Sequence, residues 1–307
     1  MKLAALYLVP QGGSPAQHVA AFARDAEAAG FEAIAFTDHP APSTKWLANG
    51  GHGTLDPFVA LAFCAAVTSR LRLLTYVSVL PYRNPLLTAR AAFSLDLLSS
   101  GRLILTCGVG YLRSEFAALG VDFDARGELF DEALGALAAV WSRPEGFTYE
   151  GSGFFARDQT ISPGPVQLTP PLWIGGNSAV ARERVVEHGV GWAPLVGSLE
   201  MTSTSRTASI SSTAELGVLV RDLGERLIAK GREPESVEVC VQQVHEPLRG
   251  DVPFVAEEQL DWLGRLSDAG ATWTIVAVAP QDERANSELL GRYGEEVILR
   301  IPAKGAP

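Results

Sequence analysis

The sequence is short of the residues that mark several classes of protein. Only three cysteines occur in 307 residues, and Cys64, Cys107 and Cys240 form no CxxC pair. A disulfide framework needs paired cysteines at regular spacing, so we expect buried, reduced thiols and a cytoplasmic protein. No apolar run reaches the ~18 residues of a membrane-spanning helix. Residues 1–9 are too short for a secretory signal and are predicted to form a strand.

Positive charge is also scarce. The chain has 25 Lys and Arg against 35 Asp and Glu, which gives a net charge of −10. Proteins that bind nucleic acid or anionic membranes need clustered basic residues to displace counterions. Because no such cluster occurs, we expect neither nucleic acid nor a membrane as a partner, and a small molecule as the substrate.

Several catalytic signatures are missing as well. The sequence has no HExxH motif, no Cys/His quartet and no carboxylate cluster, so we predict no metal site. It also has no GxSxG motif, which argues against a serine esterase. Hydrophobic residues make up 47% of the chain and charged residues 20%, which suits a large folded core. No stretch resembles a linker, and we predict a single domain over residues 1–307.

What the chain does have is a regular alternation of short apolar runs and longer amphipathic stretches. Such alternation is typical of parallel strands that are joined by helices. The predicted strands are 3–9, 32–37, 71–80, 102–107, 172–175, 190–193, 236–244 and 272–279. The predicted helices are 15–29, 57–69, 85–99, 126–142, 178–188, 213–230, 254–269 and 282–293. Eight strand–helix units predict an α/β protein, a (β/α)8 TIM barrel.

Two stretches interrupt the alternation. Residues 143–170 are rich in proline and glycine, and we interpret them as an insertion after the fourth helix that contains a small hairpin. Residues 197–213 are mostly serine and threonine and predict a loop after the sixth strand, which we expect to be mobile. Loops of this kind build the substrate pocket of a barrel enzyme.

Active sites of such barrels lie at the carboxyl ends of the strands, so polar residues and glycines there are the candidates. Strand two ends in Asp38-His39, a pair in which the carboxylate orients an imidazole for proton transfer. A capping Asp and a half-exposed loop His are the structural alternative. Strand three ends near Tyr76-Val77, and the segment either continues as a regular strand to Leu80 or turns there through a cis peptide bond. Asn84 follows at the barrel mouth.

Glycines mark the ends of the next two strands. Gly108 and Gly110 let a flat ligand approach closely, and Tyr111 follows them. Glu115 follows on a short helical turn, and a solvated charge is its structural alternative. The fifth strand ends in Gly175-Gly176-Asn177-Ser178 where a helix begins. Backbone amides at a helix N-terminus bind anions, so we predict a phosphate site in that segment.

The order of these pieces resembles the luciferase-like monooxygenase family. The resemblance lies in AEAAGFEAIAFTDH (26–39), the long stretch 80–134 and PPLWIGGNS (170–178). The middle stretch is most similar to the subfamily that uses the deazaflavin coenzyme F420. Residues 1–195 carry the resemblance, and the last third matches only in element order.

The resemblance implies a barrel with a flavin or deazaflavin ring at its strand ends. It places catalytic roles on Asp38 and His39, ring support near Tyr76-Val77, and cofactor contacts on the strand-end glycines Gly108, Gly110, Gly175 and Gly176. Beside these, we predict cofactor contacts at Asn84, Tyr111, Asn177 and Ser178. Asn84 stands where the family often has His, and Val190 where it often has Asp. The implied activity is hydride transfer between reduced F420 and a small organic substrate. The alternatives are an FMN-dependent monooxygenase served by a separate reductase, and a non-catalytic flavin-binding protein. The resemblance also implies a homodimer.

Overall fold

Eight parallel strands close into a barrel in the computed structural model, which describes residues 1–10, 16–197, 205–242, 247–279 and 282–302. The barrel strands are β1 (Lys2–Tyr7), β2 (Ala33–Phe36), β3 (Arg72–Thr75) with its continuation β4 (Ser78–Val79), β5 (Leu103–Gly108), β8 (Leu172–Gly175), β9 (Gly191–Ala193), β10 (Glu238–Gln242) and β11 (Trp273–Val278). Pairing of β1 with β11 and of β3 with β5 closes the sheet. The predicted (β/α)8 TIM barrel is confirmed.

The helices surround this barrel. They are α1 (Ala16–Ala29), α2 (Thr44–Ala48), α3 (Pro57–Ala65), α4 (Pro85–Leu98), α5 (Arg113–Ala118), α6 (Arg126–Ser142), α7 (Ala179–His188), α8 (Thr213–Ala229), α9 (Ala256–Asp268) and α10 (Glu283–Glu296). Proline opens α3 and α4, where its missing N–H costs nothing, after the side-chain caps Asp56 and Asn84. The short α2 was not predicted. No helix among the described residues is long and apolar enough to cross a membrane.

The third barrel strand is interrupted, so the prediction of one strand over 71–80 was wrong. β3 ends at Thr75, and β4 resumes the pairing with β5 only at Ser78. Between them, the peptide bond that joins Tyr76 and Val77 is cis. Of the two alternatives that the sequence left open, the structure therefore has the turned segment.

The barrel interior changes in size from one end to the other. Near the amino ends of the strands, the indole rings of Trp173 and Trp273 meet edge to face at 5.3 Å and fill the barrel. Side chains alternate along a strand, so the inward positions at the carboxyl ends of β5, β8 and β9 are Gly108, Gly175 and Ala193. The small residues at the carboxyl ends make room for the side chain of Val77.

The predicted insertion after the fourth long helix is confirmed as a hairpin. β6 (Glu145–Glu150) and β7 (Phe155–Thr160) pair antiparallel outside the barrel. The carboxylate of Glu132 on α6 accepts from the amides of Gly153 and Phe154 at 2.6 and 3.1 Å, which fastens the turn. Of the predicted loop 197–213, residues 198–204 lie outside the described residues. The three cysteines are buried and unpaired, as expected.

Candidate active site

His39 lies just beyond the carboxyl end of β2 and contacts a carboxylate that comes from another part of the chain. Its Nδ1 is 3.2 Å from Oε2 of Glu115, on the short helix α5 that follows β5. The side chain of His39 is only 9% exposed, and that of Glu115 is fully buried. The structural alternative for Glu115, a solvated charge, is therefore wrong.

Glu115 is an acceptor for three donors. Oε1 accepts from the amide of Ala41 at 3.0 Å, and Oε2 accepts from the hydroxyl of Tyr82 at 3.1 Å as well as from His39. A carboxylate oxygen accepts, so the proton between the two groups lies on Nδ1 of His39. Glu115 thus orients the His39 ring and leaves Nε2 directed towards Tyr111.

Tyr111 occupies the other side of the His39 ring. Its hydroxyl is 3.3 Å from Nε2 of His39, and the two rings meet edge to face. Burial, and then the charge of Glu115, raises the pKa of Tyr111 to about 12. Tyr111 therefore keeps its proton at neutral pH and donates to Nε2. Glu115, His39 and Tyr111 form a continuous line of hydrogen bonds at the barrel mouth.

Asp38 does not orient His39, which corrects the prediction. One of its oxygens accepts from the hydroxyl of Ser78 and the amide of Val79, both at 3.1 Å. The other accepts from Arg83 at 3.2 Å, and Arg83 also donates to Asp56 at 2.7 Å. Asp38 is 3% exposed and fixes β4 to the end of β2. Asp38 therefore supports the structure beneath the site, and Glu115 orients the His39 ring in its stead.

A wall of aromatic rings covers His39. The ring of Trp46 lies 4.7 Å from that of His39, and the ring of His52 lies 5.6 Å away on another side. Nε2 of His52 pairs with the hydroxyl of Thr37 at 2.9 Å. Burial, and then the nearby charge of His39, lowers the pKa of His52 to about 4, so His52 is neutral at physiological pH. A Cβ at Gly51 would overlap the indole of Trp46, so this wall needs glycine there.

Val77 packs against the strand-end glycines at the barrel mouth. A Cβ at Gly108 would lie 3.0 Å from one methyl of Val77, and a Cβ at Gly175 would lie 3.2 Å from the other. Glycine at both positions lets Val77 project between β5 and β8. Tyr76, beside it, is 7% exposed and packs into the barrel core. Gly110 has φ +78°, and a Cβ there would meet Val79 and Phe116.

At the predicted phosphate segment, some amides already have acceptors. The Gly176 amide donates to the Ala193 carbonyl at 3.3 Å, and the Asn177 amide donates to the Thr207 hydroxyl at 3.1 Å. The Ser178 hydroxyl caps α7 at Ala181. The prediction that the amides of Gly176 and Asn177 bind a phosphate is therefore corrected, because both amides already have acceptors within the protein.

Two of the predicted contacts are structural supports. The Asn177 side chain holds the loop after β9, through the Leu195 and Ala208 carbonyls at 2.7 Å each and the Leu195 amide at 2.8 Å. Asn84 caps α4 through the Leu86 and Leu87 amides. Among the described residues none accepts from the amides of Ala179 or Val180. An anion would therefore meet the first turn of α7 one or two residues later than the sequence suggests.

The site thus offers a hydrogen-bonded imidazole at the barrel mouth, where Val77 and the strand-end glycines form an apolar surface. In the described ranges, no group of three or more His, Cys, Asp or Glu side chains is placed to hold a metal ion. Sequence reasoning missed Glu115, Tyr82 and His52 as members of the site. Their only signal was position after a strand or in the loop after β2, which many non-functional residues share.

A sequence model described as luciferase-like monooxygenase matches residues 4–263. Among curated proteins, the FMNH(2)-dependent dimethylsulfone monooxygenase of Pseudomonas fluorescens is 29% identical over 164 residues, which is 52% of this chain and 42% of that protein. The chain spans about half the length of the curated relatives it matches, from 42% to 62%.

Two solved structures share the fold over nearly all of both chains. The monooxygenase RslO1 from Streptomyces bottropensis superposes with a TM-score of 0.79 and 18% identity, over 98% of this chain and 100% of that one. An F420-dependent secondary alcohol dehydrogenase, in complex with an F420–acetone adduct, superposes with a TM-score of 0.77 and 14% identity, over 97% and 99%. At these identities the likeness shows the fold alone.

Proposed function

The chain belongs to the luciferase-like monooxygenase family, and on that premise we propose that it is an oxidoreductase that uses coenzyme F420. The proposed reaction transfers a hydride between the deazaflavin and a small organic substrate that carries an alcohol or carbonyl group. When bound, the deazaflavin supplies the hydride chemistry, and the protein supplies orientation, proton handling and exclusion of water.

The observation that carries this proposal is the buried Glu115–His39 pair at the barrel mouth. Conversion of an alcohol to a carbonyl releases a proton from oxygen, and the reverse reaction consumes one. His39 is held in one tautomer with Nε2 facing Tyr111, which suits transfer of that proton. A protein that only stores a flavin needs no such buried pair, so the pair speaks against the non-catalytic alternative.

The residues at the strand ends suit a flat ring with an anionic tail. Gly108 and Gly175 let Val77 project between β5 and β8, where it forms an apolar surface. The first turn of α7 opens nearby, where backbone amides favour a phosphate. Substitution of either glycine would displace Val77 from this surface, because a Cβ there lies 3.0–3.2 Å from it.

An FMN-dependent monooxygenase is the second candidate. It is favoured by the similarity to the dimethylsulfone monooxygenase, which is 29% identical over 164 residues. In that case a separate reductase would deliver the reduced cofactor. FMN and F420 share a tricyclic ring and a phosphate, so the glycines and the start of α7 suit either.

Binding separates the two candidates. We would titrate the apoprotein anaerobically with oxidised and reduced F420 and with oxidised and reduced FMN, and compare the four dissociation constants. The proposal expects F420 to bind at least tenfold more tightly than FMN in the same redox state. Tighter binding of reduced FMN would replace it with the monooxygenase, and binding of neither cofactor would refute both. A panel of small alcohols and ketones then tests turnover, which a storage protein would lack.

The assembly is proposed to be a homodimer in the cytoplasm. Apolar side chains stand exposed along the outer faces of the neighbouring helices α3 and α4, with Val59 at 69%, Phe63 at 40%, Leu87 at 70% and Leu98 at 74% exposure. An exposed apolar stripe across two helices is typical of a protein interface. A two-fold axis would place this stripe against its own copy. The buried, unpaired cysteines suit a reducing compartment.

A further inference from the structure

A cavity lies at the amino end of the barrel, at the opposite end from His39. Its volume is about 610 Å³, and it is bounded by the first residues of β1 and β10, by the turns before β2 and β11, and by helix α8. Binding sites for small molecules range over roughly 300–1,000 Å³, so this cavity has the size of a ligand site. His39 lies beyond the carboxyl end of β2, so the cavity is separate from the site of the proposed reaction.

Much of the cavity wall is apolar. Gly224 of α8 lines it and leaves room between the helix and Pro234, because a Cβ at Gly224 would lie 3.6 Å from that proline, an ordinary contact distance. A side chain at position 224 can therefore be added without a clash, and it would occupy the cavity. The apolar side chains that line it include Val220, Leu223 and Leu227 of α8, with Leu3, Val239 and Ile301.

The one ammonium side chain in this lining already has a partner. Nζ of Lys2 forms an ion pair with Glu238 at 2.7 Å and lies 5.1 Å from the centre of the Trp273 ring. Burial raises the pKa of Glu238, but the hydrogen bond from Lys2 outweighs it, together with other polar contacts, and the pKa lies below its ordinary value. Lys2 therefore neutralises Glu238 and not the other acidic residues of the cavity.

Glu32 and Glu235 have no such partner. Both are exposed and line the cavity, and in the described part of the chain no Lys, Arg or His side chain forms an ion pair with either. Glu32 precedes β2 and Glu235 precedes β10, so the strand order β2-β1-β11-β10 places them on opposite sides of the cavity. Arg72, whose charge acts on Glu32 and Glu238, does not line it. The lining side chains thus carry three carboxylates against one ammonium, which favours a cation.

We propose that this cavity binds a small organic amine, with its apolar body against α8 and its ammonium group beside Glu32 or Glu235. An alkyl chain gains from burial against the apolar wall, while the charged group stays hydrated at the margin beside an exposed carboxylate. An alcohol with the same alkyl chain lacks the charge, and a carboxylate with that chain is repelled. The site needs no flavin or deazaflavin and is independent of the proposed hydride transfer.

Three probes of equal chain length separate these contributions. The apoprotein is titrated by calorimetry with n-hexylamine, n-hexanol and hexanoate at neutral pH, each at low and high salt. Gly224→Leu fills the cavity, and Gly264→Leu on α9 is its matched control, because it makes the same change in a helix where the added Cβ meets open space. Glu235→Gln removes one carboxylate, and Glu233→Gln is its control, because Glu233 is exposed in the same turn but does not line the cavity.

We expect n-hexylamine to bind more tightly than n-hexanol, and hexanoate to bind most weakly. High salt should reduce the difference between amine and alcohol, since the carboxylates are exposed. Glu235→Gln should weaken n-hexylamine binding roughly threefold, as for loss of one exposed ion pair, and leave n-hexanol binding unchanged. Gly224→Leu should abolish binding of both probes. Gly264→Leu and Glu233→Gln should bind them as the unmodified protein does.

Three results would overturn the proposal. One is that the unmodified protein binds n-hexylamine no more tightly than hexanoate, or not at all. Another is that Gly224→Leu retains the affinity for n-hexylamine, which would place the amine elsewhere. The third is that Glu235→Gln together with Glu32→Gln leaves the affinity for the amine unchanged. These two substitutions are at exposed positions, so they test the site even if Gly224→Leu fails to fold. Failure of the apoprotein to bind F420 or FMN would refute the proposed function and leave this test intact.

Discussion

Glu115→Gln is the change that tests the site most sharply, because it keeps the size of the side chain and removes one acceptor. The carboxylate accepts from Ala41 at 3.0 Å through one oxygen, and from Tyr82 and His39 at 3.1 and 3.2 Å through the other. A glutamine has one carbonyl oxygen for these three donors. Its NH2 group must therefore face either the Ala41 amide or the His39 ring.

Both orientations of the new side chain damage the site. With NH2 towards Ala41, the NH2 group and the Ala41 amide are two donors that face each other, at a cost of about 1 kcal/mol of stability because the contact is only partly buried. With NH2 towards His39, Nδ1 must accept, so the ring proton moves to Nε2 and Tyr111 loses its acceptor. We expect turnover to fall by roughly 10- to 100-fold, the kinetic equivalent of one lost charge-assisted hydrogen bond.

The outcome can be read without a known substrate. Nitrogen-15 NMR of the histidine rings reports which nitrogen of His39 carries the proton, and urea unfolding reports the stability. Glu288→Gln, on the surface of α10, is the matched control and should change neither quantity. The reasoning is refuted if Glu115→Gln keeps the Nδ1-protonated ring and full stability.

Three further changes test other parts of the account. Because the pKa of His52 is about 4 in the fold and 6.5 in the unfolded chain, the unfolded state takes up the proton first as the pH falls. The free energy of unfolding should then decrease by up to about 3 kcal/mol between pH 6.5 and 4, and this decrease should be smaller in His52→Gln. Urea unfolding at several pH values measures it. Gly176→Val, at φ +115°, should weaken cofactor binding at least tenfold, while Gly231→Val, at φ +72° in open space, should strain the backbone without changing affinity. Leu87→Glu should convert a homodimer into a monomer, as measured by light scattering, whereas Val218→Glu at an exposed position of α8 should leave the dimer intact. A monomeric unmodified protein would contradict the proposed interface.

The parts of the fold that the sequence predicts well are those with a local cause. Apolar runs alternate with amphipathic helices, and prolines and capping residues such as Asp56 and Asn84 mark where α3 and α4 begin. The hairpin at 145–160 is visible because turn-forming glycines separate two runs of strand-forming residues. The position of His39 follows from the rule that barrel sites lie after strands.

The contacts within the site were harder to predict because they join distant parts of the chain. Glu115 meets His39 across 76 positions, and no local pattern tells a buried carboxylate on a short helix from a solvated one. Asp38, next to His39 in sequence, was the natural partner, yet Ser78 and Arg83 bind it instead. Adjacent residues near a strand end point in different directions, so neighbours in sequence need not meet in the site.

The central claim is that a flavin or deazaflavin ring binds at the barrel mouth beside His39. Only five histidines occur in the chain, so ring-labelled protein gives a spectrum with few signals. We predict that saturating F420 shifts the ring signals of His39 and His52, while those of His18 on α1 and His188 on α7 remain in place. If the cofactor binds at saturation and the signals of His39 and His52 do not move, the ring lies elsewhere and the claim is contradicted.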